Sequence, residues 1–289
     1  MSYRAVKIND VQVKKVPLLT KEDDRPVKGY DLFPEIYANI FLCAKKKSGK
    51  TSTTYKMIKD CCGRDTKIIA FVSTLYKDAN WKTIRKYCEM KKIDFEGHTS
   101  INEDGVDMLD ELVQRLQDEA QDEEEEKKLD SRVSALEKMI GMGSRGPSKC
   151  PVQVDGDESD DEDKPKKKEK FRAPEYIIIL DDLSNELKSR SLVTLLKKNR
   201  HFKAKIIISS QYLNDLLPES RKQLDYFLIY RGQTKKKLDE IYRDADVSVE
   251  VEEFYDIYKF ATEEKFSFLY IDTATSQFRR NFNYGIEVT

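Results

Sequence analysis

Residues 39–51 read NIFLCAKKKSGKT. Five residues with four apolar side chains, Asn39–Cys43, have the length and composition of a buried strand. The next eight, Ala44-Lys45-Lys46-Lys47-Ser48-Gly49-Lys50-Thr51, match the phosphate-binding pattern G-x-x-x-x-G-K-[ST] except that Ala44 stands at the first glycine. A helix is expected over 49–62. A compact loop between strand and helix turns successive backbone N–H groups inward, and the helix start adds its positive end, so the segment can cradle phosphate oxygens. Lys50 has the reach for β- and γ-phosphates, the Thr51 hydroxyl can ligate Mg²⁺, and Gly49 permits a backbone that a side chain would strain. Residues 44–52, ending at Ser52, form the candidate nucleotide-binding stretch. The competing reading is a lysine-rich surface turn that happens to contain Gly-Lys-Thr.

Outward from this loop, short apolar runs alternate with helical segments: a strand at 67–73 and a helix at 80–92. After a long charged stretch come a strand at 176–180, a helix at 186–199, strands at 205–209 and 226–230, and helices at 235–244 and 251–262. Such alternation calls for an α/β fold with a central, mostly parallel sheet flanked by helices. The last two runs, 266–272 and 277–282, read as an antiparallel hairpin closing the sheet edge. The expected organisation is an N-terminal arm (1–35), a first part of the ATPase domain (36–116), a charged low-complexity insertion without a core of its own (117–172), and the second part of the domain (173–289).

The strand at 176–180 delivers Asp181-Asp182 at its C-terminal end, where ligands bind in open parallel sheets. Asp181 is the candidate Mg²⁺ ligand with Thr51, and Asp182 the group that polarises the attacking water. A third strand ends in Ser209-Ser210-Gln211, and a glutamine there can hydrogen-bond the γ-phosphate or the water. Each strand tip alone also reads as an ordinary polar turn. Phosphoryl transfer is served by charge neutralisation, often from a neighbouring subunit's arginine. Arg200, Arg221 and Arg231 lie near strand ends, with Arg221 favoured and Arg200 second.

Composition sets the outer limits. The chain has 289 residues and a formal net charge of −1. The charge is unevenly spread: residues 117–172 hold 17 acids against 12 bases, which leaves 36 acids and 40 bases elsewhere. That mild basic bias suits DNA without requiring it. The patches Lys197-Lys198-Asn199-Arg200-His201 and Lys235-Lys236-Lys237 can meet a DNA backbone without reading sequence, or can be solvated helix faces. No apolar run approaches the ~20 residues of a membrane span, and the N-terminus lacks a secretory apolar stretch, so an intracellular, soluble protein is expected. Five cysteines without C-x-x-C spacing, beside two histidines, argue against a zinc site.

Taken in order, Gly49-Lys50-Thr51, Ile179-Leu180-Asp181-Asp182, Arg200-His201, Ile206-Ile207-Ile208-Ser209-Ser210-Gln211 and Leu217-Pro218-Glu219-Ser220-Arg221 resemble the poxvirus-type genome-packaging ATPases of large DNA viruses and virophages, within the FtsK–HerA superfamily. The resemblance implies an additional-strand P-loop fold and a ring-shaped oligomer. It also implies ATP- and Mg²⁺-dependent pumping of double-stranded DNA into a preformed capsid, at a portal-like vertex. It supports Lys50 and Thr51 on nucleotide and metal, Asp181 and Asp182 as the acidic strand tip, Gln211 as sensor, and Arg221 or Arg200 acting in trans. A host-cell virus factory or the virion is the location it implies. Two other functions use the same loop. One is a nucleotide or small-molecule kinase, which would need an acceptor pocket and a lid. The other is a nucleotide-binding scaffold with little turnover, supported only by Ala44.

Overall fold

The computed structural model describes residues 23–141 and 170–287. Elements follow in chain order: β1 (Asn39–Cys43), α1 (Lys50–Cys61), β2 (Lys67–Val72), α2 (Ala79–Lys91), β3 (Phe95–His98), the two-residue strands β4 (Asn102–Glu103) and β5 (Val106–Asp107), and α3 (Met108–Gly141). Then come β6 (Tyr176–Asp181), α4 (Arg190–Lys197), β7 (Ala204–Ser210), α5 (Pro218–Arg221), β8 (Tyr226–Tyr230), α6 (Lys235–Ala245), α7 (Val251–Ala261), β9 (Phe268–Asp272), β10 (Gln277–Arg280) and β11 (Tyr284–Ile286).

Nine strands form one sheet in the order β11-β10-β9-β8-β1-β7-β6-β2-β3. The six from β8 to β3 are parallel, and β9, β10 and β11 continue the sheet antiparallel. The loop strand β1 is therefore central, and β7 is inserted between it and β6. This is the additional-strand arrangement. The C-terminal hairpin is present, and β11 extends it to three strands.

Both faces of the parallel strands are covered, which is why they read as continuous apolar runs instead of alternating ones. Successive side chains point to opposite faces. In β1, Phe41 and Cys43 join one core with Leu112 of α3, Leu195 of α4 and Ile241 of α6. Ile40 and Leu42 join the other with Met57 of α1 and Trp81 and Ile84 of α2. Each fully buried Leu, Ile or Phe stabilises by about 1.5–3 kcal/mol, so the two cores hold the sheet rigid beneath the strand tips.

Two observations bear on the expected organisation. Helix α3 runs through Met108–Gly141, so the first part of the charged stretch that begins at 117 is helical. The reason is that Leu109, Leu112, Val113 and Leu116 bury the start of α3, and the helix carries its charged continuation outward. Glu119 then accepts from the Tyr176 hydroxyl (2.6 Å), and Glu123 pairs with Lys203 (2.6 Å). The described end of the N-terminal arm packs against the sheet. Leu32 and Phe33 are buried, with Phe33 5.0 Å from the Tyr226 ring. Lys28 N–H donates to the Arg172 carbonyl across the base of the insertion. The linker and acid-base blocks at 142–169 and the arm's first 22 residues lie outside the described residues.

Candidate active site

Parallel pairing sets the register of three strand tips. Cys43 of β1 lies opposite Ser210 of β7, and Ser209 lies opposite Asp181 of β6. The loop, Gln211 and the two aspartates therefore leave the sheet at one edge. Ala44 N–H donates to the Ser210 carbonyl (3.1 Å) and Asp182 N–H to the Ser209 carbonyl (3.1 Å), so β7 anchors its neighbours on both sides.

Ala44 is fully buried beneath the loop and does not adopt a left-handed backbone, so the first loop position makes no demand here for glycine. The conformational demand falls on Gly49, with φ +95°, and on Lys47, with φ +62°. Gly49 caps α1 without any side-chain cap, and the first turn of α1 contains no acid. A helix start normally has its free N–H groups met by Ser, Thr, Asp or Asn. Here they are left for an anion. The buried Ser48 hydroxyl also lacks a hydrogen-bond partner. Lys45, Lys46 and Lys47 are exposed around the loop, as is Ser52 on the first turn of α1.

Lys50 crosses the gap to β6. Its Nζ lies 2.9 Å from Asp181 Oδ1 and 3.2 Å from Asp182 Oδ1. Trp81, the sequence's single tryptophan, donates from its indole N–H to Asp181 Oδ2 at 3.2 Å. Asp182 holds φ +59°, a left-handed conformation that costs a non-glycine residue about 1–2 kcal/mol. The backbone there aims a carboxylate at the loop instead of relaxing. Gln211 is half-buried, and its carbonyl accepts from Lys237 Nζ (2.8 Å) and more weakly from Cys43 Sγ (3.7 Å). Burial pushes the Cys43 thiol up to about 12, so it packs as an inert group.

The arginines separate. Arg221 is held within its own chain, donating from Nε to the Leu216 carbonyl (3.0 Å) and pairing with Asp244 (3.5 Å). Arg200 is exposed and precedes β7, at the edge opposite the loop. Arg231, ranked third from sequence, follows β8 and lines a cleft of 220 Å³ with Lys45, Ser48 and Tyr230.

Three participants had no local signal. Trp81 reaches Asp181 from a helix 100 residues away. Gln233 ties the loop strand by donating to the Cys43 and Tyr230 carbonyls at 3.2 Å. Tyr230 donates its hydroxyl to Thr53 Oγ1 of α1 (2.6 Å). The two lysine patches prove to lie on opposite sheet edges, since residues 197–201 lead into β7 and residues 235–237 follow β8.

One comparison bears on the family resemblance. Residues 158–278 match the family model described as Poxvirus A32 protein. Over that stretch, which holds the motifs from Ile179 to Arg221, the match agrees with the resemblance read from sequence. The A32 match takes in β6, β7 and β8 and reaches into β10; it begins well past the phosphate loop. No curated protein matches the chain. Among solved structures, the genome packaging NTPase B204 of Sulfolobus turreted icosahedral virus 2, in complex with AMP, is 15% identical with a TM-score of 0.49, covering 88% of this chain and 100% of that one. B204, the DNA-packaging ATPase of Sulfolobus turreted icosahedral virus, is 14% identical with a TM-score of 0.46, covering 84% and 95%. The cytoplasmic domain of the Thermomonospora curvata type VII secretion ATPase EccC is 13% identical with a TM-score of 0.44, covering 81% and 24%. Among the described residues no helix is long and apolar enough to cross a membrane.

Proposed function

We propose that this chain is an ATP-hydrolysing DNA translocase that packages viral double-stranded DNA into a preformed capsid, working as a ring beside a portal-like vertex, in a virus factory or the virion. The A32 match supports the packaging class. The observation that carries the chemistry is the contact of Lys50 with both Asp181 and Asp182, two strands away across the sheet edge.

In this reading the β- and γ-phosphates lie on the loop amides and the uncapped start of α1, with the Ser48 hydroxyl as a further donor. Lys50 exchanges its carboxylate partners for phosphate oxygens, which frees Asp181 and Asp182. Asp182, fixed by its Ser209 hydrogen bond, orients the attacking water and takes up its proton. Gln211 senses the γ-phosphate. Thr51 and Asp181 offer the oxygen donors that suit Mg²⁺. Among the described residues no cluster of three or more His, Cys, Asp or Glu side chains forms a ready-made metal cage. Such a pair fits an ion shared with the phosphates, where it would neutralise developing charge.

Phosphate release from ATP, measured with and without double-stranded DNA beside the mass of the assembly, tests the proposal. DNA-stimulated hydrolysis by an oligomer is expected, and Lys50→Ala or Asp182→Asn should lower it about 10²-fold or more. Hydrolysis at an unchanged rate in both variants would overturn the assignment.

A further inference from the structure

The strand order gives the bound nucleotide a direction. Asp181, Asp182 and Gln211 lie at the tips of β6 and β7, on one side of the loop strand β1, and in the reading above they receive the γ-phosphate end there. The rest of the molecule must leave the loop on the other side, where β8 ends and β9 begins. That is where the 220 Å³ cleft lies.

One wall of this cleft is an aromatic ring. Phe266 is 55% exposed although it is large and apolar. Its backbone is left-handed, with φ +70°, which a bulky residue rarely adopts. A Cβ placed on Gly49 would lie 3.4 Å from Phe266 Cδ1, so the ring stands directly beside the loop's glycine. The turn is braced. Ser267 Oγ donates to the Glu264 carbonyl (2.6 Å), Arg280 pairs with the Glu264 carboxylate (2.5 Å), and Phe268 N–H donates to Asn281 Oδ1 (3.1 Å). Lys265 Nζ sits 4.8 Å from the ring centroid. An exposed aromatic face in a strained, braced turn is organised to stack on a flat partner.

We infer that the turn at 264–267 is a nucleobase shelf on which Phe266 stacks the base of a purine nucleoside triphosphate. The inference rests on the nucleotide reading above and adds the base subsite. The cleft's charged lining residues are all cations and include no Asp or Glu, so no side-chain carboxylate reads the base's amino edge. Recognition is by stacking area, which favours the two-ring bases.

The test compares ATP with inorganic tripolyphosphate, which has the phosphates but no base, on the full chain. Phe266→Ala should weaken ATP binding about tenfold, as removal of an aromatic from a stacked base does, and leave tripolyphosphate affinity unchanged. Phe266→Trp should retain ATP affinity. Its new indole fluorescence should be quenched by ATP and not by tripolyphosphate, with wild-type Trp81 emission as the control. Equal weakening of both ligands, or of neither, by Phe266→Ala overturns the shelf. The two failures are distinguishable: a wild-type protein that binds neither ligand defeats the nucleotide reading, and the shelf with it. A wild type that binds both, beside an alanine variant that changes neither, defeats only the shelf.

Discussion

Lys50, at the start of α1, carries its ammonium to the carboxylates at the tip of β6, which is separated from the loop strand β1 by β7. That reach suits the long, flexible, compact ammonium of lysine and not the rigid fork of arginine. Lys50→Arg should therefore lose most of the hydrolysis lost in Lys50→Ala; recovery by arginine, in a steady-state assay, would refute the spanning role. Lys237 is the second residue with a defined task. Its ammonium holds the Gln211 carbonyl and lies 3.7 Å from the Tyr212 ring centroid, so it steadies the tip of β7 from α6. Lys237→Met should reduce kcat about tenfold while KM changes little, because a charge-assisted hydrogen bond to Gln211, the proposed sensor, is lost. A change confined to KM would place Lys237 on the substrate instead. The loop and the acidic tip were legible in sequence because each is a short, ordered pattern at a strand end. Trp81 and Gln233 were not, because what recruits them is register between distant strands. Arg221 looked free in sequence because nothing local reveals the Leu216 carbonyl and Asp244 that hold it.

At the scale of elements, buried parallel strands announce themselves by unbroken apolar runs, and β1, β6, β7 and β8 were readable for that reason. The edge strand β3, FEGH, was not, since all four residues are only partly buried. The expected helix at 186–199 divides into a short 3₁₀ turn (Ser184–Leu187) and α4, because the Ser189 hydroxyl accepts from Leu192 N–H (3.2 Å) and restarts the helix. α3 is held by its first turns, and two substitutions separate apolar from ionic support. Leu112→Ala should cost about 2–5 kcal/mol, and Glu123→Ala, an outlying ion pair, about 1 kcal/mol or less, read as shifts in thermal midpoint. The opposite ranking would mean the charged length of the helix carries its stability. β3 also sets an acid limit. Burial pushes the Glu96 carboxyl up, but hydrogen bonds from His98, Lys67 and Arg115 outweigh it and hold the group at about 2. A depressed carboxylate contributes stability that is present above its ordinary pKa near 4.5 and lost as pH falls toward 2. The stability gap between wild type and Glu96→Gln should shrink over that window in urea titrations; a gap constant with pH would contradict the assignment.

For the whole molecule, the two sheet edges have different tasks. The loop edge holds Lys50, Asp181, Asp182 and Gln211. The opposite edge carries Lys197, Lys198 and Arg200, all exposed and roughly 20 Å away along β7. Arg200 cannot serve its own site from there, but it can serve a neighbour's. If it does, mixing Lys50→Ala chains with Arg200→Ala chains should restore part of the hydrolysis that neither shows alone, because some interfaces then pair an intact loop with an intact arginine. Mixtures as inactive as their components would rule Arg200 out. The distance between the edges also means that the patch at 235–237 and the patch at 197–201 cannot follow one DNA backbone from a single face.

The pairing of Lys50 with two aspartates has a further result. The cavity supplies counter-anions to its own lysine, so on the proposed reading an arriving phosphate displaces a resident charge instead of filling a bare cationic hole. Entry is an ion exchange. Stray sulfate or monophosphate, each bringing no more negative charge than the carboxylate pair it would displace, gains little by the trade, and the site is kept from idling on the wrong anion.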